Sequence, residues 1–231
     1  MYRNKIFTAI VLAAGKGSRM QSDIPKQYMK ILGKEVLFYS LKVFQESAID
    51  KIVLVTRKED ISFCKSEIIE KYGFTKVTDI IEGGSERYWS VKNGLNCAKG
   101  SDYVLIHDAA RPCINQKIIN DSMDEVIRCG VCTVGVPVKD TIKIVDNNNY
   151  GIDTPDRNSL WQVQTPQSFD YIDLMTAYEK MQQHSSINIT DDTMIMERFI
   201  GKKSKLIMGD YRNIKITTSE DILIAENFLS N

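Results

Sequence analysis

The chain has 231 residues, and its 30 Lys and Arg balance its 30 Asp and Glu, so the formal net charge is zero. A role led by nucleic acid or an anionic membrane draws on a surplus of cations, and that balance argues against both. Hydrophobic residues at 43% and charged residues at 26% describe an ordinary globular chain with material for a sizeable core, which rules out global disorder.

The first element is the apolar run Ile6 to Ala14, preceded by Arg3 and Lys5. That order mimics a secretory signal. The run is too short for a membrane span, however, is rich in β-branched residues and opens directly onto glycines, so it reads as a buried strand over Phe7 to Ala13. Further strands are read at Ile52 to Thr56, Val77 to Ile81, Tyr103 to His107 and Val131 to Val136. Between them, Leu37, Leu41 and Phe44 share one helical face, and Ile61, Ile68, Ile69 and Tyr72 a second. Val91, Leu95 and Ala98 carry a third, and Ile118, Ile119, Met123, Val126 and Ile127 a fourth. The alternation is that of βαβ units: an α/β, Rossmann-like, mostly parallel sheet with helices on both faces, which receives ligands at the carboxyl ends of its strands. No internal repeat, low-complexity tract or long linker divides residues 1–231, so a single domain is expected.

Residues 139–161 break the rhythm. Thr141 to Val145 alternates as an exposed strand, Asp146 to Asn149 reads as a turn, and a second extended segment leads to Trp161, giving a protruding β-hairpin arm. A lone hairpin is marginal and commonly packs on a partner chain, so a homodimer through the arm is expected, with a surface loop as the alternative. Next come a helix over Tyr171 to Met181, short strands near Leu206 and Ile214, and a last helix. Thr218 and Asp221 open that helix in capping-box fashion, and Ile222, Leu223, Ala225, Phe228 and Leu229 form its apolar face.

The five cysteines (Cys64, Cys97, Cys113, Cys129, Cys132) are odd in number and scattered, which implies no disulfide framework and points to a reducing, cytoplasmic setting. Cys129 and Cys132 form a C-x-x-C that is either redox-active, half a metal site, or a structural pair where a helix meets a strand. With no second pair at ligand spacing, the structural reading is preferred.

The chemistry begins at Ala13, Ala14, Gly15, Lys16, Gly17, Ser18 and Arg19, followed by Lys26. Glycines after a buried strand let the backbone approach a ligand, and successive N–H groups there can cradle phosphate oxygens. The run lacks the Gly-Lys-Ser/Thr of a P-loop, and Met20 stands where a dinucleotide fingerprint needs its third glycine. It reads either as a nucleoside-triphosphate loop of another type or, taken alone, as a tight turn with solvated cations. Further polar clusters fall at strand ends or nearby loops: Gly83 to Arg87, His107 to Pro112, Lys139 to Thr141, Gln164 to Gln167, Thr190 to Asp192, and Asn213 to Lys215. Asp108 stands where a hard divalent ion shared with substrate phosphates would sit, or where a helix would be capped. His107 reads as packed rather than catalytic, His184 as exposed, and Asp191 and Asp192 as caps of the following helix. There is no His-Glu-x-x-His and no Gly-x-Ser-x-Gly. Cations and hydroxyls are plentiful, and nucleotidyl transfer needs mainly positioning and charge stabilisation.

Taken in order, His-Asp-Ala-Ala-Arg-Pro (107–112), Val-Pro-Val-Lys-Asp-Thr (136–141), Asp-Arg-Asn-Ser-Leu-Trp (156–161), Gln-Thr-Pro-Gln (164–167) and Asn-Ile-Lys-Ile-Thr (213–217) resemble the 2-C-methyl-D-erythritol 4-phosphate cytidylyltransferases of the non-mevalonate isoprenoid pathway. The resemblance runs from the first strand to the last helix. It implies a CTP site built from the Ala13 to Arg19 loop, with Lys26 on the triphosphate and Gly83, Ser85 and Ser90 around the cytidine. Ser85 stands where many relatives have Asp. It further implies Mg2+ or another divalent cation on Asp108. The sugar-alcohol phosphate would be held by Arg111, Thr165, Thr190 and Lys215, and by a partner subunit's residues matching Thr141 and Arg157. Arg19, Lys26 and Lys215 would be catalytic, neutralising the phosphates as the alcohol phosphate attacks the α-phosphorus of CTP. A cytidylyltransferase for another polyol phosphate, such as ribitol 5-phosphate, is the nearest rival. A nucleotide-sugar glycosyltransferase would be expected to carry an Asp-x-Asp that this chain lacks, and a non-catalytic nucleotide-binding dimer is disfavoured by Arg19, Lys26, Asp108 and Lys215 together.

Overall fold

The apolar runs become strands and the periodic segments become helices. A computed structural model describes residues 1–15, 24–183 and 189–230. In chain order its elements are β1 (Phe7–Leu12), β2 (Lys30–Ile31), β3 (Lys34–Glu35), α1 (Val36–Glu46), β4 (Lys51–Thr56), α2 (Ile61–Phe63), β5 (Val77–Glu82), α3 (Arg87–Cys97) and β6 (Tyr103–Asp108). There follow α4 (Gln116–Cys129), β7 (Val131–Pro137), β8 (Ile144–Val145), β9 (Gly151–Asp153), β10 (Trp161–Asp170), α5 (Tyr171–Gln182), α6 (Asp192–Phe199), β11 (Lys205–Met208) and α7 (Glu220–Ser230).

Seven strands make one sheet in the order β11-β7-β10-β6-β1-β4-β5. All its pairs are parallel except those of β10, which runs antiparallel to both β6 and β7. β1 is an interior strand with Phe7 to Val11 fully buried, as a continuous apolar run covered on both faces requires. Successive side chains point to opposite faces: Ala9 and Val11 join Leu37, Leu41 and Phe44 of α1 and Met123 and Val126 of α4 on one side. Ile10 joins Val53, Val55, Val91, Leu95, Leu174 and Tyr178 on the other. The close approach of α3 needs Gly94, where a Cβ would stand 2.5 Å from Ile10 Cγ2. Helix α4 ends at Gly130, whose φ of 76° is left-handed. Cys129 closes that helix with an exposed, free thiol, and Cys132, also free, is buried in β7, so the pair lies where a helix meets a strand.

Four expectations need correction. Residues Gln164 to Gln167 are not a loop but lie inside the ten-residue β10, where the register shifts between Val163 and Gln167. The pattern hides this strand because its polar side chains are buried for a purpose other than packing. No strand forms near Ile214; residues 213–217 are irregular, and the Ile216 N–H donates to Ala110 O instead. The second helical face spans α2 followed by π-helical turns over Cys64–Glu70, with Cys64 and Ile68 buried. The arm is a hairpin, but only β8 and β9 pair, and Thr141 lies outside the ladder. Among the described residues no helix is long and apolar enough to cross a membrane.

Candidate active site

The loop leaving β1 is anchored from both sides. Ala13 N–H donates to Val55 O at 2.7 Å, and the buried Gln27 amide donates to Ala13 O at 2.7 Å and to Gly15 O at 3.4 Å. Lys26 follows Pro25 and donates to Ile216 O at 2.8 Å. Lys16, Gly17, Ser18 and Arg19 lie outside the described residues, as does His184.

A cavity of about 500 Å³ opens at the carboxyl ends of the strands. Ala13, Ala14, Gly15, Lys26, Ser85, Ser90, Asp108 and Lys215, all expected from sequence, line it together with Gln27, Gly84, Glu86 and Arg87. Ser90 braces its far wall, accepting from Gly84 N–H at 3.0 Å and donating to Glu86 O at 3.2 Å. Gly83 does not line the cavity itself. A Cβ on it would stand 2.6 Å from Ala14 Cβ and 2.8 Å from Ser90 Oγ, so glycine there lets the two walls meet.

A second cavity of about 320 Å³ adjoins the first. Arg111, Thr165, Thr190, Asp108 and Lys215 line it as expected, joined by Arg87, Gln164, Gln167 and Asp191. Arg87, Asp108 and Lys215 belong to both cavities and form the wall between them.

Asp108 is the electrostatic centre of that wall. It ends β6, accepts from Lys215 Nζ at 2.6 Å and lies 3.3 Å from Arg87 Nε. Burial alone would raise its pKa. The Arg87, Lys215 and Arg111 charges and the Lys215 hydrogen bond overcome that and hold the carboxyl far below the usual range. Its capping alternative is excluded, since α4 is capped by Asn115, whose side chain accepts from Ile118 N–H. Lys215 reaches the wall because its irregular segment is pinned. The buried Asn213 amide donates to Gln164 Oε1 at 3.2 Å and to Thr165 O at 3.0 Å. Arg111 Nη1 donates to Asn213 O at 2.8 Å, while its buried Nε has no partner among the described residues. Burial, aided by the nearby Arg87 charge, pulls the Arg111 pKa down against the opposing pull of Asp108.

His107 is packed, not catalytic. It is fully buried against Phe44, and burial pulls its pKa down to about 3. A carbonyl only accepts, so Nε2–H donates to Arg111 O at 3.3 Å, which leaves Nδ1 to accept from the Thr165 hydroxyl at 3.0 Å. Thr165 Oγ1 in turn accepts from Asp108 N–H at 3.2 Å.

Asp191 caps α6 as expected, accepting from Met194 N–H at 2.9 Å. Asp192 does not. It is fully buried and pairs with Arg87 Nη1 at 2.7 Å. Arg87 is the main residue that the sequence reading left without a role. The one signal was its position, since a cation in the first turn of a helix opposes the macrodipole and calls for a reason. Thr141 and Arg157 line neither cavity; both are exposed on the arm segment, with Arg157 donating to Lys139 O at 2.9 Å.

Among the described residues no group of three or more His, Cys, Asp and Glu could hold a metal alone. Asp108 nevertheless fits an ion such as Mg2+, which takes one or two carboxylates and completes its shell with substrate phosphates and water.

The family model described as 2-C-methyl-D-erythritol 4-phosphate cytidylyltransferase matches residues 7–231. A 2-C-methyl-D-erythritol 4-phosphate cytidylyltransferase of Lachnoclostridium phytofermentans is 50% identical over 222 residues, covering 96% of this chain and 95% of the relative. That of Lachnospira eligens is 51% identical over 224 residues, covering 96% and 98%. Among solved structures, the 4-diphosphocytidyl-2C-methyl-D-erythritol synthase of Anaerococcus prevotii superposes with a TM-score of 0.86 at 34% identity, covering 98% of this chain and 97% of that one.

Proposed function

This chain belongs to the 2-C-methyl-D-erythritol 4-phosphate cytidylyltransferase family, and from that membership we propose how its two cavities divide the reaction. The reaction is cytidylyl transfer from CTP to 2-C-methyl-D-erythritol 4-phosphate, yielding 4-diphosphocytidyl-2-C-methyl-D-erythritol and pyrophosphate for isoprenoid precursor synthesis. The larger cavity takes CTP, its triphosphate against Ala13, Ala14, Gly15, Lys16, Gly17, Ser18, Arg19 and Lys26 and its cytidine near Gly83, Ser85 and Ser90. The smaller cavity takes the alcohol phosphate on Arg111, Thr165, Thr190 and Lys215. The observation that supports this division is the shared wall of Arg87, Asp108 and Lys215, two cations flanking one carboxylate, which borders both cavities.

The first obstacle to the reaction is repulsion. A phosphate monoester carries about −1.5 to −2 charges at neutral pH, and each like-charge pair at 4 Å costs roughly 4 kcal/mol at an effective dielectric of 20. Lys26, Lys215 and Arg19 lower that cost and stabilise the α-phosphorus as a phosphate oxygen of the alcohol attacks and pyrophosphate leaves. No general base is needed, because the attacking oxygen is already anionic. Asp108 would hold Mg2+ or another divalent cation, which when bound supplies further charge neutralisation. The protein acts as a cytoplasmic homodimer through the arm, so that Thr141 and Arg157 serve the smaller cavity of the other subunit.

The test is pyrophosphate release from purified protein with CTP and Mg2+, with methylerythritol phosphate and ribitol 5-phosphate offered separately. Release with the first alone is expected, whereas release with ribitol 5-phosphate alone would overturn the substrate assignment.

A further inference from the structure

Behind the wall between the cavities lies a buried group of residues that the reaction as described does not use. Asp192, at the start of α6, has no exposed surface, and each of its polar side-chain atoms is engaged. Its Oδ2 takes Arg87 Nη1 at 2.7 Å and its Oδ1 takes the Tyr178 hydroxyl at 2.8 Å, while its N–H donates to Gln167 Oε1 at 3.0 Å. Gln167 passes on to Asp191 Oδ2 at 3.1 Å. Buried ion pairs often stabilise a fold no more than apolar residues of the same volume, so the placement of Asp192 invites a positional explanation.

The partner it holds supplies that reason. A guanidinium has five N–H donors in a rigid fork. Arg87 points Nε at Asp108, 3.3 Å away, and gives Nη1 to Asp192, while Nη2 makes no hydrogen bond among the described residues and is not sealed from solvent. The two carboxylates therefore grip the fork from two sides and leave its third nitrogen without a partner among the described residues, on a side chain that lines both cavities.

We propose that Arg87 is a further substrate-binding residue of the transfer, offering Nη2 to phosphate oxygens at the junction of the two cavities, and that Asp192 is the positioning residue that aims it. The inference rests on the two-substrate reading above. Thr190 and Asp191 line the smaller cavity beside Asp192, so the same short segment that faces the second substrate also sets the guanidinium.

The experiment is steady-state pyrophosphate release by the full-length protein with CTP, methylerythritol phosphate and Mg2+, for wild type, Arg87→Lys, Arg87→Gln, Asp192→Asn and the Arg87→Gln/Asp192→Asn double variant, each checked by circular dichroism and thermal melting. Arg87→Gln is expected to lose kcat by a factor on the order of 10², the effect of deleting one aimed donor. Arg87→Lys keeps the charge opposite Asp192 and hence the fold, but not the fork, and is expected to lose kcat without a matching loss of melting temperature. Asp192→Asn is expected to lower kcat in wild type and to add nothing once Arg87 is gone, because a residue that acts through another is silent in its absence. Additive losses, or a folded Arg87→Lys with wild-type kcat and KM for both substrates, would overturn the proposal. Failure of the wild type to release pyrophosphate from this substrate pair would instead sink the functional reading on which it rests.

Discussion

Replacing His107 by Asn separates the electrostatics of the site from its packing. The imidazole is buried and neutral in the folded protein, with its pKa pulled down to about 3 from an ordinary 6.5. Between those values the unfolded chain binds a proton that the folded chain refuses, so stability rises with pH across the window and is lost as pH falls below 6.5. At pH 5 the folded group is still neutral, and the loss depends only on the unfolded value: relative to pH 7 it is about 2 kcal/mol. The substituted carboxamide places Oδ1 where Nδ1 stands and can still accept from Thr165; it is too short to reach Arg111 O, a loss of the same size at both pH values, and it cannot titrate. Urea unfolding of both proteins at pH 7 and pH 5, read as extrapolated free energies, should show His107→Asn losing about 2 kcal/mol less than wild type over that interval. Other carboxylates contribute to both proteins and cancel in the difference. Equal pH dependence in the two would mean that the imidazole is charged, or hydrated, in the folded state, and the Thr165 hydrogen-bond direction derived from its neutral form would fall with it.

Other consequences are open to equally direct checks. Lys26→Ala or Lys215→Ala should lower kcat by a factor on the order of 10² to 10³; near-normal turnover in both folded variants would refute the charge-stabilising roles. If the arm serves the neighbouring subunit, Arg157→Ala and Lys215→Ala are each strongly impaired alone but regain activity when unfolded together and refolded, since the mixed dimer contains one intact site. Mixing without any gain would mean that Arg157 acts within its own chain or not at all. Chelation of divalent ions should abolish turnover and their return should restore it, while turnover unaffected by chelation would remove the ion from Asp108. Gly94→Ala should destabilise the fold by about 1 to 3 kcal/mol through overpacking, because the new methyl meets Ile10 Cγ2 at 2.5 Å; a raised melting temperature would show that α3 can move away from β1.

The parts of this protein that are local were legible in the chain itself. Apolar runs of five to seven residues and faces repeating every three to four depend only on neighbours, and they marked β1, β4, β5, β6, β7, α1, α3, α4 and α5 close to their observed bounds. Glycines, lysines and Asp108 at strand exits pointed to an anion-binding edge for the same reason, since an α/β sheet turns every such exit to one side. Tertiary structure decided what depends on partners far apart in sequence. β10 was hidden because Gln164, Thr165 and Gln167 are polar yet buried, and their burial is stable only through Asn213, His107 and Asp192, donors and acceptors supplied by other segments. The Arg87–Asp192 pair spans 105 residues. Neither residue's own neighbourhood states the pairing, because a buried charge is permitted only where the assembled fold brings its counter-charge within reach.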